Sequence, residues 1–500
     1  MTVYSEYSKA RVGWVLGLTG WQAGFLGVSF LPIPLALSAT RYAATGLFLL
    51  LWLVAVFVTV TPIKGRSTVN WLLSSVSFAF GGLAGWTKFR SKASLGQSVG
   101  EGEADLPGPL QGIQIHDGPP DGRTFKRLAV IQNHTDRTWA ISALVQHPGL
   151  GLCEADTRQR YGAGLSDLLD GAQRSKIVDE VILLVRTIPE DGVEREQWKN
   201  KHRSANGPSV SRQINDELQE ALTRNSVRTV SYVTVVVSES RLAKAAKEAG
   251  GGLSGRAQIL YAASSEMEAL MLGSMGMSSV NWLTSPELAL ACRTGFAPGD
   301  RAGIVEALGL KAGDEHINAD VPWSMAGPSG ADPTPRHYSH DAWNSISSTI
   351  KLPTRGAAMG ALQPVLTTQK PGERRSFMVA FPVMSASKAD RQSTNSGWAA
   401  DIRSDLRVKL KIKQKTAQAD EERKARDLEG KVSRGSALIE PYAIVTVTVP
   451  KTYRVAAAGR DLDTSVRRAG FAPLRLDLSQ DLGFTASTVP LGLGLNHRGI

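Results

Sequence analysis

Cysteine is nearly missing from this chain: Cys153 and Cys292 are the only two in 500 residues. That excludes a disulfide scaffold and fits a body kept in a reducing, cytosolic compartment. Charge is missing locally. Residues 21–40 and 42–61 hold no Asp, Glu, Lys or Arg, and Arg41 is the only charge between Arg11 and Lys64. Chemical signatures are missing throughout. No G-x-x-x-x-G-K-[ST] segment exists, so no loop can cradle a triphosphate as a P-loop does. Gly250-Gly251-Gly252 and Leu491-Gly492-Leu493-Gly494 lack its Lys-Ser/Thr tail. There is no H-E-x-x-H and no paired Cys for a zinc site.

The two uncharged runs, each about twenty residues, match the length of a helix crossing a ~30 Å hydrocarbon core. Backbone polar groups in lipid must be satisfied within the segment, so both runs are expected as helices. A cleavable leader would have a shorter apolar stretch and no second run behind it. The expectation is therefore a transmembrane hairpin, with Pro32 and Pro34 kinking its first helix. Lys9 and Arg11 precede it, and Lys64, Arg66, Lys88, Arg90 and Lys92 follow it. That distribution places both termini in the cytoplasm of a bacterial cell, with two spans and the remaining residues cytosolic. Residues 68–86 also lack charge but are diluted by Ser and Gly. With Trp71, Phe78, Phe80 and Trp86, they read as an interfacial helix, the alternative being a third span.

Beyond the membrane segment the composition is that of a globular protein, with mean hydropathy −0.12 overall. The net charge of +11 fits either nucleic acid or a body held against an anionic leaflet. A Gly/Pro/acidic linker at 96–110 leads into strand signals at 128–132 and 139–146, a helix at 158–169 and a strand at 177–187. A helical stretch around 216–222 and a strand at 227–238 complete a β-β-α-β-α-β run, close to a split-βαβ, ferredoxin-like layer. This first α/β domain spans 111–250, and the Gly-rich 250–255 ends it. A second α/β domain, 255–500, opens with a helix at 264–272, then 278–283, then a helix at 286–293 introduced by Ser285. Strand-like segments recur at 345–352, 376–384 and 443–449. Within it, 386–437 is the most polar part of the chain and reads as a long helical insertion with opposite charges interleaved. One stretch in it, Arg407-Val408-Lys409-Leu410-Lys411-Ile412-Lys413, alternates at period two as a strand would. The fold class is thus α+β: a two-helix transmembrane hairpin followed by mixed α/β cytosolic layers.

No catalytic residue, cofactor site or metal site is assigned. G-x-S-x-G occurs once, at Gly96-Gln97-Ser98-Val99-Gly100, but in the linker rather than between a strand and a helix, where a nucleophile elbow must sit. His337-Tyr338-Ser339-His340-Asp341 is the most tempting ligand cluster, and Pro333 and Pro335 upstream place it in a loop or a frayed helix start. Asp461-Leu462-Asp463 reads as the acidic opening of a helix, where carboxylates meet the positive end of the dipole.

Taken in order, these features resemble a family: actinobacterial conjugation-associated membrane proteins with a PrgI-like N-terminus. Its Gly-Arg-Ser/Thr…Trp-Leu segment is matched here by Gly65-Arg66-Ser67…Asn70-Trp71-Leu72. The later residues resemble the N-terminal, non-ATPase region of the VirB-class ATPases of type IV secretion. The matching stretches are 178–191 (VDEVILLVRTIPED), 374–391 (RRSFMVAFPVMSASKADR) and 442–450 (YAIVTVTVP). The resemblance implies a non-enzymatic inner-membrane subunit of a type IV-like conjugation or secretion machine. Its partners would be a separate ATPase, other membrane subunits and the lipid bilayer, in an oligomeric assembly. Those ATPases continue into a motor domain, which these residues do not contain, so energy is expected from a partner. Two alternatives are a type VII core subunit of the EccE kind and a membrane-bound nucleic-acid binder using Arg407–Lys415.

Overall fold

A computed structural model describes the chain apart from residues 1–2, 5–19, 61, 64–65, 86, 101, 150, 152, 190–191, 205–206, 226, 315, 352–356, 369, 371, 386–426, 428–429 and 496–500. The chain divides into two compact units, one of residues 6–87 and 392–430, the other of the remainder.

In the first unit four helices are described: α1 (Gly20–Phe30), α2 (Pro32–Ser38), α3 (Tyr42–Val60) and α4 (Thr68–Leu83). The chain reverses at Thr40, whose φ is 56°. The Trp52 indole donates to Leu26 O at 3.1 Å and its ring meets Phe30 edge-on, holding α3 against α1. This geometry corrects the transmembrane hairpin and the two-span localisation expected from composition. Among the described residues no helix is long and apolar enough to cross a membrane. For the first run the physical reason lies in helix length. Pro32 and Pro34 supply no backbone N–H, and the first run is cut into helices of 11 and 7 residues, about 16 and 10 Å at 1.5 Å per residue. The second reaches 19 residues, roughly 28 Å. Residues 68–83 form one 16-residue helix, too short for the third span offered as the alternative.

The second unit is built on one mixed layer of helices and antiparallel sheet. Its strands are β1 (Phe89–Arg90), β2 (Ile113–Pro120), β3 (Arg127–Asn133), β4 (Thr138–Gln146), β5 (Glu180–Pro189), β6 (Val227–Ser238), β7 (Ser279–Trp282), β8 (Gly330–Pro333), β9 (Tyr338–His340), β10 (Trp343–Lys351), β11 (Arg374–Pro382), β12 (Tyr442–Pro450) and β13 (Ala472–Arg475). The sheet order is β1-β8-β9-β10-β12-β11-β5-β6-β4-β3-β2, with β7 on β4 and β13 on β10. Residues on both sides of 250–255 therefore contribute to a single sheet.

Its helices are α5 (Ala155–Ser175), α6 (Val193–His202), α7 (Ser209–Asn225), α8 (Glu239–Glu248), α9 (Gly252–Gly273), α10 (Ser285–Phe296), α11 (Arg301–Lys311), α12 (Gln363–Leu366), α13 (Val455–Arg468) and α14 (Gln480–Thr488). The two halves of the sheet share one topology. In the first, the hairpin β3-β4 is followed by β5, and then β6 inserts between β4 and β5. In the second, the hairpin β9-β10 is followed by β11, and β12 inserts between β10 and β11. Each half is a split β-x-β in which parallel strands flank an antiparallel one. β5 and β11 join the halves antiparallel, with Leu184 opposite Met378, an approximate two-fold relation that no sequence repeat announces.

Both faces of the sheet are covered, which is why β6 (VRTVSYVTVVVS) runs apolar rather than alternating. Val233, Val235 and Val237 join Leu168, Leu260 and Met267 under α5 and α9. In the other half Ile346, Val445 and Val447 pack with Leu462 and Val466 of α13. Against the opposite face lie α10, α14 and the segment after it, through Phe296, Phe484, Val489, Leu491 and Leu493. α10 is opened by Thr284, one residue before the Ser285 expected from sequence, in a capping box with Glu287.

Candidate functional site

The chemistry-bearing residues singled out from sequence are not brought together. Ser98 follows a short 3-10 turn (Ala93–Leu95) in linker backbone, with no helix behind it. His340 is not on a loop or helix start but on strand β9, fully buried, with its Nε2 2.8 Å from Ser345 Oγ. Burial pushes its imidazole down to about 3, so it is a neutral core histidine beside Phe296, Tyr338 and Phe484. Asp341 turns away into an ion pair with Arg293 at 3.5 Å. Asp461 and Asp463 lie in the middle of α13 rather than at its start, bound to Lys370 and Arg475 respectively. Among the described residues no group of three His, Cys, Asp or Glu side chains is placed to hold a metal. Residues 407–413, and 386–426 as a whole, lie outside the described residues.

Polar groups do converge between the sheet and α14. The hydroxyls of Ser347, Thr446 and Ser487 form a chain with steps of 2.7 and 2.6 Å. Gln480 accepts from Ser347 N at 2.7 Å and donates to Ser347 O at 3.2 Å. The Arg186 guanidinium donates to Ala291 O (2.9 Å), Thr488 O (3.1 Å) and Tyr232 OH (2.7 Å), lying over the Tyr232 ring. Nearby, Tyr442 OH donates to Glu180 Oε1 (2.9 Å) and accepts from Leu495 N (2.8 Å). Apart from Glu180 Oε2, these groups satisfy one another, and they pin α14 and the segment after it to the sheet. Their chemistry is spent on holding the fold.

The surface site lies on α6 and α7, which connect β5 to β6. α6 is fixed to α11: Glu194 pairs with Arg301, and Gln197 Nε2 donates to Val305 O at 3.1 Å. That anchoring turns Trp198 outward, 64 % exposed. One turn on, His202 stacks on its ring with centroids 4.6 Å apart and planes 22° apart, and Nδ1 hydrogen-bonds to Trp198 O at 2.8 Å. A cavity of about 240 Å³ opens beside this pair, lined by Lys199, Arg203, Ser211, Arg212 and Asp216 among others. Asp216 accepts from Lys199 at 3.0 Å, and Arg203 stands 4.0 Å from it. The Lys199 hydrogen bond holds the Asp216 carboxyl below its usual range. Arg212 is exposed, and no described residue pairs with it.

α7 also carries an unpartnered apolar stripe. Val210, Ile214 and Leu218, at i, i+4 and i+8, are 65, 57 and 45 % exposed. At 3.6 residues per turn the stripe lies roughly a third of a turn from the positions that line the cavity. Sequence reading missed this site although both signals were present: Trp198 and His202 four apart among basic residues, and three aliphatic residues at helical spacing. No protein-family model matches the chain, and no curated protein matches it.

Proposed function

We propose that the chain is a non-enzymatic subunit of a type IV-like conjugation or secretion apparatus, docking an ATPase carried on another chain. One observation carries the reading. The three stretches that resemble the front region of VirB-class ATPases, 178–191, 374–391 and 442–450, supply β5, β11 and β12. These are consecutive neighbours at the centre of the sheet. The likeness thus falls on the framework that joins the two halves, while the sequence offers no P-loop. A framework of this kind, with no P-loop among these residues, is suited to holding a motor supplied in trans.

The apolar stripe of α7 suits such docking. Three adjacent aliphatic side chains form a compact interface core, and Glu217 on the flank of the stripe contributes charge to partner choice. The test is co-purification of the transfer ATPase encoded nearby with the full-length chain, using wild type and an Ile214→Asp/Leu218→Asp double variant. Recovery with wild type and loss with the variant is expected. No recovery with wild type sinks the docking function, whereas equal recovery with both sinks α7 as its surface. ATP hydrolysis that tracks the purified chain through successive columns would overturn the non-enzymatic reading.

A further inference from the structure

We propose that the α6–α7 cavity binds single-stranded nucleic acid, with an unstacked base on the outward face of Trp198 and its flanking phosphates on Arg203 and Arg212. The inference stands on these two helices alone, apart from the docking role.

A large aromatic side chain this exposed gains nothing from the fold by being there. Trp198 is also not free to swing: His202 covers one face of its ring, and the His202 ring is itself tied to Trp198 O. The result is a rigid platform with one open face, the geometry on which sequence-tolerant base stacking relies. Cations surround it. Lys199, Lys201 and Arg203 follow the tryptophan in sequence, and Arg212 faces the same cavity from α7. Against these, Asp216 is the one acid among the described residues that line the cavity. It engages Lys199 most closely; Arg203 stands at the limit of ion-pair distance, and no described residue pairs with the Arg212 side chain. An open, basic, aromatic cavity of this size admits one base, and the cations beyond its rim track a backbone. A duplex keeps its bases inside the stack and offers none to the ring. A free mononucleotide offers the base but only one phosphate position, so the same chemistry predicts weaker binding.

The experiment measures fluorescence anisotropy of a labelled oligothymidylate with the full-length chain. The competitors are unlabelled thymidine monophosphate, inorganic phosphate and a duplex. Variants are Trp198→Ala, Trp198→Phe and Arg212→Glu; the last alters an exposed side chain that no described residue pairs with. Expected is binding at least tenfold tighter for the single strand than for the duplex or the mononucleotide. The Trp198→Ala change should weaken it roughly 5- to 150-fold, the range for loss of one stacked base. Trp198→Phe should restore part of the loss, and Arg212→Glu should weaken binding and flatten its salt dependence. On single strands the logarithm of affinity falls by about 0.7 per contacted phosphate for each logarithm of salt, so two contacts give a slope near −1.4. Equal affinity for duplex and single strand, or binding indifferent to Trp198→Ala, marks a general cationic surface and overturns the site. Displacement by inorganic phosphate as effective as by the oligonucleotide overturns the base platform as well.

Discussion

Replacing Glu180 by Gln should make the protein more resistant to denaturant above neutral pH, by a margin that shrinks as the pH falls toward about 4. The side chain is 1 % exposed on β5, between the sheet and the segment after α14. Tyr442 satisfies Oε1, and Oε2 has no partner among the described residues. Burial, with a smaller contribution from neighbouring Asp179, pushes its carboxyl up to about 7 against the hydrogen bond from Tyr442. In the unfolded chain a glutamate releases its proton near pH 4.3. Between that value and about 7 the native state therefore holds a proton the unfolded state has lost. Stability falls through this window by about 1.4 kcal/mol per pH unit and is level on either side. The accumulated loss is about 4 kcal/mol by pH 8, an upper figure because water reaching the site would reduce it. A glutamine keeps the shape and the acceptor for Tyr442 and does not titrate. The assay is urea denaturation of wild type and Glu180→Gln at pH 5, 6, 7 and 8, comparing midpoints so that all other titrations cancel. The gap should widen from about 1 kcal/mol at pH 5 to its full size by pH 8 in favour of the variant. A gap that stays constant across the four values refutes the buried, protonated carboxyl.

Two other expectations follow from packing. In Gly164→Ala a methyl would lie 2.2 Å from Ser274 O, a backbone atom, whereas in Gly171→Ala it would meet the Leu270 side chain at 2.6 Å; the first should cost about 1–3 kcal/mol as overpacking and the second less, read as a larger fall in urea midpoint. Cys153 is half-buried and Cys292 fully buried with its thiol pushed up by desolvation; a thiol reagent should therefore label one site per native chain, two after denaturation, and none rapidly in Cys153→Ser.

What could be read from sequence was decided by whether local pattern or distant packing set the structure. Strand β6 was legible from end to end because a β-branched run buried on both faces has no competing reading. The hairpin β3-β4 was equally plain, with polar turn residues 133–137 between two apolar runs. Helix α9 begins well before its expected start. The glycines at 250–252 do turn the chain, with φ from 59° to 97°, but Gly255 is helical. A Cβ there would stand 2.3 Å from Ala246 O, so it is small in order to let α8 and α9 approach. The His337–Asp341 stretch was expected in a loop or a frayed helix start because Pro333 and Pro335 precede it. Only its pairing with β10 takes His340 inside. The N-terminal runs misled most, because counting apolar residues ignores the break at Pro32. The order of strands in the sheet, and so the adjacency of the three family-like stretches, has no local signature at all.

The shared topology of the two halves locates function on the chain. The connection from β5 to β6 in the first half corresponds to the one from β11 to β12 in the second. In the first it carries α6 and α7, where the exposed Trp198, the exposed Arg212 and the exposed aliphatic stripe all occur. In the second it contains 386–437, the most charge-interleaved part of the sequence. Elsewhere in each half the connections are constrained by packing onto the sheet, as α5 and α13 are through Leu168, Leu462 and Val466. A helix that covers a core cannot also change its outer chemistry freely without disturbing the residues beneath it. α7 is under no such constraint, since its described residues from Ser209 to Leu218 are all exposed. Segments held by few core contacts are where a rigid scaffold places its recognition surfaces. The sheet accordingly serves as the common frame, and the β5–β6 connection is where partners should be sought; residues 386–426 of the equivalent β11–β12 connection lie outside the described residues.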